Sequence, residues 1–136
     1  MHAAAFIFNE AGEVLLIKEN YGRHRYGPPG GSVDEGESPQ QAAVREAMEE
    51  SGLVVVVRDL VGVRWAEVDG DRFLGFGFRC EVLDGTPAIQ DPDEIAEIGW
   101  FDPHRPPEPT TNLARLLLGP AAEGRSGLVF SPGDGT

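Results

Sequence analysis

Between Ser38 and Gly52 the chain carries a helix with both ends marked and a dense acidic face. Ser38 suits an N-cap, Pro39 the first helical position, and Gln41 completes a capping box, while Gly52 suits the left-handed position beyond the last turn. These signals predict a helix over residues 38–51. Within it Glu46, Glu49 and Glu50 stand at i, i+3 and i+4, so their side chains converge on one face and repel one another. Such a cluster is tolerated when the carboxylates splay into water, the usual fate of a charge run, or when a hard divalent cation sits among them. Mg²⁺ prefers a few carboxylates, with waters and substrate phosphates completing its shell. Just upstream, Pro28-Pro29-Gly30-Gly31 excludes regular helix and lets the backbone come close to a ligand or metal. Loop and helix are therefore expected to form one site.

Taken together, Gly31, Glu37, Arg45, Glu46, Glu49, Glu50, Gly52 and Leu53 resemble the box of the Nudix hydrolase family, G-x5-E-x7-R-E-U-x-E-E-x-G-U, where U is a bulky aliphatic residue. Ala47 departs from it, since Leu, Ile or Val is usual there, and implies a thinner contact behind the helix. Seven identity positions at about 7% usage each make a chance match about a one-in-a-million event. The resemblance implies an α/β fold, specifically a Nudix-type α/β/α sandwich with a mixed β-sheet. It covers residues 1–118 in outline, although only residues 26–53 carry specific motifs. It also implies hydrolysis of the diphosphate linkage of a nucleoside diphosphate derivative with Mg²⁺, or Mn²⁺ in its place. On this reading Glu46, Glu49, Glu50 and the Gly30 carbonyl are the metal ligands, and Glu49, Glu50 or Glu97 is the catalytic base. Glu37 and Arg45 form a structural ion pair that holds the loop against the helix.

Length and charge agree with a small enzyme. A chain of 136 residues is expected to form one domain. A formal net charge of −12 argues against a nucleic-acid polymer as partner, because binding one needs clustered Lys and Arg. A small anionic nucleotide stays compatible, because the metal would receive it. The single Cys80 excludes an intramolecular disulfide and reads as a packed strand residue, in keeping with a reducing compartment. No apolar run reaches transmembrane length, and the N-terminal stretch lacks the features of a signal peptide, so no membrane association and a cytoplasmic location are expected. A homodimer is left open.

Along the chain, residues 3–8 and 13–17 are apolar runs separated by Asn9-Glu10-Ala11-Gly12 and predict a hairpin. Residues 54–68 and 72–82, across the Asp69-Gly70 turn, predict a second. Residues 94–101 read as a further strand and residues 113–118 as a second helix. From Gly119 onward Gly, Pro and Ser suggest a C-terminal tail, residues 119–136, in which Leu128-Val129-Phe130 could dock on this chain or on a neighbour.

Three features outside the box remain. The segment from Asp91 to Phe101 resembles the late acidic stretch of many family members, with Glu97 the first choice and Glu94 the second for a further ligand or base. Lys18, Arg23, His24 and Arg25 concentrate positive charge beside the Pro-Pro-Gly-Gly loop, where Arg23 and Arg25 would position a diphosphate, against the alternative of solvated loop cations. Asn112 is placed like a base-reading Asn of MutT-like relatives, but a plain N-cap is the competing role. Tyr26 and Pro28 depart from the usual Trp-x-Leu-Pro-Gly-Gly entry. The markers of the ADP-ribose, diadenosine-polyphosphate, coenzyme A and NADH groups are missing, which favours a MutT-like (deoxy)nucleoside triphosphate substrate over ADP-ribose or a nucleotide sugar. A non-catalytic, nucleotide-binding regulatory module is the alternative from another class.

Overall fold

The apolar run His2–Phe8 forms strand β1, the centre of the sheet in the computed structural model, which describes residues 1–133. β1 runs parallel to β6 (Asp71–Asp84), from His2 opposite Gly75 to Phe8 opposite Glu81. It meets β2 (Val14–Glu19) where the first hairpin closes, at Phe8 opposite Val14. At its other end β1 pairs instead with β4 (Gly30–Ser32), with Ala4 opposite Gly30. β2 runs on to pair with β3 (Tyr26–Gly27) and with β7 (Ile95–Phe101). The sheet thus forks between β1 and β2, and a cleft opens at the fork.

The alternation of strand side chains gives each face its own helix. Ala3, Ala5, Ile7 and Leu15 pack with Ala42, Ala43 and Ala47 of α1 (Pro39–Ser51). Ala4, Phe6, Val14 and Leu16 pack with Leu113, Ala114, Leu117 and Leu118 of α2 (Asn112–Ala122). The result is a mixed sheet between two helices, as the sequence implies. Ala47, the departure from the box, is fully buried against this sheet. Leu117 is completely buried as well, and truncating it to Ala would cost about 2–5 kcal/mol.

The stretch from Gly119, expected as a tail, contains the end of α2 and a strand. α2 continues through Pro120 to Ala122, because Ala121 is buried under the sheet and holds the last turn in place. Leu128–Phe130 then forms β8, parallel to β5 (Val54–Val68), with Leu128 opposite Gly62. Gly62 admits this strand: a Cβ there would lie 2.9 Å from the Leu128 carbonyl oxygen. Arg79 secures the connection by donating to the carbonyls of Ala121 and Arg125 and pairing with Asp59, which also accepts from Ser126. Local Gly-Pro composition predicted a break, and these tertiary contacts override it. Residues 134–136, the last of the expected tail, lie outside the described residues. Among the described residues no helix is long and apolar enough to cross a membrane.

Candidate active site

The caps of α1 set the aim of its acidic face. Ser38 Oγ accepts from the Gln41 N–H at 3.1 Å, the Gln41 side chain accepts from the Ser38 N–H at 2.9 Å, and Gly52 closes the helix at φ +77°. The face so fixed looks onto β4. Gly30 and Gly31 permit the close approach: a Cβ on Gly31 would lie 2.5 Å from the Glu46 carboxylate, and one on Gly30 2.6 Å from the Ala3 carbonyl oxygen. At Gly30 a side chain has no room against the β1 backbone, whereas at Gly31 the Glu46 side chain would have to move aside.

Arg45 organises the cluster. Its guanidinium donates to both oxygens of Glu37, at 2.8 and 3.0 Å, and to the Ser32 carbonyl at 2.9 Å. The same group reaches Glu46 at 2.9 Å and Glu49 at 3.2 Å. The expected partners Glu37 and Arg45 are thus in contact, and Arg45 also offsets repulsion between two of the three helix glutamates.

Glu50 stands apart from that arrangement. Its Oε1 accepts from the Gly30 N–H at 2.6 Å, and among the described residues it makes no ion pair with Lys, Arg or His. Burial pushes its pKa up to about 8, the negative charges of Glu46, Glu94 and Glu49 add to the rise, and the Gly30 bond opposes it. Burial also raises the pKa of Glu46, with Arg45 opposing. Glu50 is therefore the carboxylate that most needs a positive charge.

Beside Glu50 a cavity of about 340 Å³ occupies the fork between β1 and β2. One group of lining residues is polar, with two carboxylates and one guanidinium: Glu50, Gly30, Glu19, Tyr21 and Arg25. The other is aromatic and amide-bearing: His2, Arg64, Phe73, Asn112 and Leu113.

The remaining sequence candidates divide. Arg25 reaches the cavity, but Glu19 holds its guanidinium through bonds of 3.0 and 3.2 Å. Burial works to raise the pKa of Glu19, yet the hydrogen bonds from Arg25 outweigh it and keep the carboxyl below its ordinary value. Arg23 is exposed and does not line the cavity. Asn112 does line it, and Thr111 takes the N-cap, accepting from the Ala114 N–H at 3.3 Å; the plain N-cap reading of Asn112 is thereby corrected.

Glu97 is not brought to the helix carboxylates. The β2–β7 register sets it opposite Lys18, while its neighbour Ile98 packs on the α1 side, so Glu97 faces the other way and accepts from the Tyr26 hydroxyl at 2.6 Å. Glu94, just before β7, is near enough for its charge to act on both Glu50 and Tyr21. His2, Glu19, Tyr21, Arg64 and Phe73 line the cavity without a motif in the sequence to mark them. Glu19 alone left a signal, since it follows Leu15 and Ile17 at period two and so shares their face.

Among the described residues no three acidic, His or Cys side chains already form a closed cation cage. Arg45 occupies two of the glutamates. The donor set nevertheless fits a hard divalent cation, which can take one or two carboxylates and complete its shell with water and phosphate oxygens. The half-buried Glu50 carboxylate, left without a cation of its own, is the observation that fits it.

A family model described as NUDIX domain matches residues 1–118. A Bacillus subtilis protein named, provisionally, an 8-oxo-dGTP diphosphatase is 34% identical over 106 residues, which cover 77% of this chain and 68% of that protein. An ADP-ribose pyrophosphatase of Methanocaldococcus jannaschii is 32% identical over 101 residues, covering 71% of this chain and 58% of its own length. Among solved structures, a MutT NUDIX hydrolase from Burkholderia pseudomallei superposes with a TM-score of 0.79 at 29% identity, covering 87% of this chain and 94% of that one.

Proposed function

The chain belongs to the NUDIX domain family, and from that premise we propose that it hydrolyses the diphosphate linkage of a small nucleotide, a nucleoside or deoxynucleoside triphosphate, with Mg²⁺ or Mn²⁺ as cofactor. The observation that carries this reading is Glu50: a half-buried carboxylate without a cationic partner among the described residues, set in a cavity wall beside two further glutamates and a Gly-Gly strand. The B. subtilis relative's name supports the triphosphate choice, and the charge of −12 weighs against a nucleic-acid polymer. The enzyme would act in the cytoplasm.

Glu46, Glu49, Glu50 and the Gly30 carbonyl would hold the cation. When bound, such a cation neutralises charge on the phosphate oxygens and acidifies a coordinated water. Glu50 or Glu49 would take the proton released as water adds at phosphorus and the phosphoanhydride bond breaks. Arg25, already aligned by Glu19, would donate to the departing phosphate oxygens. Arg45 keeps Glu46 and Glu49 oriented on the helix face, and Asn112 would meet the base edge with its donor and its acceptor.

A turnover panel of nucleoside triphosphates, ADP-ribose, a nucleotide sugar and a dinucleoside polyphosphate, run in Mg²⁺ and in chelator, tests the proposal. Triphosphates should be cleaved best and chelation should abolish the reaction. ADP-ribose as best substrate by a wide margin would overturn the substrate, and metal-independent silence on every nucleotide would favour the regulatory module.

A further inference from the structure

Two arginines line the cavity, and they differ in what holds them. Glu19 binds the Arg25 guanidinium, whereas Arg64 has neither a carboxylate nor a hydrogen-bond acceptor among the described residues, although the chain carries a net charge of −12. The sheet sets its place. Strand registers put Arg64 opposite Gly75 and Gly75 opposite His2, so the three lie in one row on one face, and the middle one has no side chain. The Phe73 ring lies over that gap, since a Cβ on Gly75 would come within 3.1 Å of the ring and 3.7 Å of the Leu113 side chain. The half-buried Arg64 guanidinium sits 5.8 Å from the centroid of that ring. An arginine held by an aromatic ring rather than by a carboxylate keeps its N–H donors free for a ligand.

We propose that Arg64 is a specificity-determining residue that donates to a carbonyl oxygen of the nucleobase, so that the cavity prefers bases with a carbonyl at that edge, such as guanine and hypoxanthine, to adenine, which has an amino group there. The assignment rests on the nucleotide reading of this cavity and extends it from the carboxylate group to the group opposite. A guanidinium has donors and no acceptor. Guanine presents O6 and N7 as adjacent acceptors that the fork of an arginine matches, whereas adenine replaces O6 with an amino donor. Two donors that face each other leave both unpaired, the condition under which a polar site rejects a near-isostere strongly. Phosphate is the other acceptor that suits an arginine, but the neighbours of Arg64 in this wall are Phe73 and Leu113, apolar surfaces that suit a flat base.

Calorimetry in Mg²⁺ with non-hydrolysable deoxynucleoside triphosphates that carry guanine, hypoxanthine or adenine, and with inorganic tripolyphosphate, tests this without relying on turnover. The wild type should bind the guanine and hypoxanthine forms at least about tenfold more tightly than the adenine form, within the range of a good bidentate contact. Arg64→Gln, whose amide offers the donor and acceptor that adenine needs, should erase or reverse that ratio while tripolyphosphate binds as before. Arg64→Met, which keeps an apolar stem against Phe73 and removes the donors, should lose the ratio without reversing it. An unchanged ratio in either variant, or no such preference in the wild type, would overturn the proposal. So would an equal loss of all four ligands in Arg64→Gln, which would make Arg64 a phosphate ligand, or a guanine preference that hypoxanthine does not share, which would place the discrimination at the 2-amino group. If one variant fails to fold, the other reads the same contact. Carbonyl-base preference without any Mg²⁺-dependent hydrolysis would sink the enzymatic reading and leave this assignment standing, and hydrolysis with no base preference would do the reverse.

Discussion

The carboxylate cluster, which reaches the cavity through Gly30 and Glu50, and the wall opposite it differ in how the chain supplies them. Gly30, Gly31, Glu37, Arg45, Glu46, Glu49 and Glu50 come from one loop and the helix after it, and their mutual geometry follows from helix periodicity and two caps. His2, Arg64, Phe73 and Asn112 come from three strands and a second helix, and they meet only because β1 lies parallel to β6 and α2 crosses the same face. The first group repels itself and is held by Arg45. The second carries only the positive charge of Arg64 and leaves one ring nitrogen unsatisfied. A locally encoded charged group suits a reaction common to many relatives, whereas a group assembled from distant segments can vary in substrate choice without disturbing that reaction.

The comparison breaks most sharply at the glutamates. Glu50→Gln should lower turnover about 10²- to 10⁴-fold, the range for removing a positioned acid–base group, and Glu49→Gln should lower it by orders of magnitude as well, with folding preserved in both. Steady-state kinetics on the substrate that wins the panel measures it, and near-normal Mg²⁺-dependent turnover in Glu50→Gln would remove this group from the chemistry.

Arg45→Ala should damage stability and activity together, because it strands Glu37 and releases Glu46 and Glu49 to repel each other. Melting curves should fall by several degrees alongside a loss of turnover. Lost activity at an unchanged melting temperature would instead make Arg45 a direct phosphate ligand.

Glu50 also predicts a pH dependence. Its pKa rises from 4.5 to about 8 on folding, so the folded state holds the proton more tightly than the unfolded chain does. That contribution to stability is fully present below 4.5 and is lost as pH rises through about 8. His2, whose pKa is lowered from 6.5, works in the opposite sense, so the useful quantity is the difference between wild type and Glu50→Gln, in which His2 cancels. In chelator, Glu50→Gln should gain stability relative to wild type from pH 5 to pH 8, by on the order of a few kcal/mol. A difference that stays constant with pH would mean that Glu50 is not strained in the fold.

The smallest effects separate Asn112 from Thr111. Asn112→Ala should raise KM and flatten base preference at an unchanged melting temperature. Thr111→Ala, at the true N-cap, should cost about 1 kcal/mol of stability. Reversed outcomes would return Asn112 to a capping role.

How much of this was readable beforehand follows the same division. Helix α1 and both of its caps were legible because each depends on residues within a few turns of one another, and the Glu37–Arg45 pair was implied by the family resemblance. The hairpins were legible from alternation and turn residues. The other cavity wall was not, because nothing local to His2 or Phe73 says that β1 and β6 are neighbours. The sequence favours Glu97 over Glu94, and only the β2–β7 register shows that Glu97 faces the other way. The end of α2 and strand β8 were hidden behind a Gly-Pro pair whose local preference is overridden by burial of Ala121 and by the Arg79–Asp59 anchor.

The central claim is that Glu50 is a carboxylate waiting for a cation. Its most direct test is the melting temperature of wild type and Glu50→Gln at pH 8 as a function of Mg²⁺ concentration, with no nucleotide present. A ligand at about a hundred times its dissociation constant stabilises the folded state by about 2.7 kcal/mol. The wild type should therefore melt progressively higher as Mg²⁺ is added, while Glu50→Gln starts higher and gains little. Equal Mg²⁺ stabilisation of the two proteins would contradict the account.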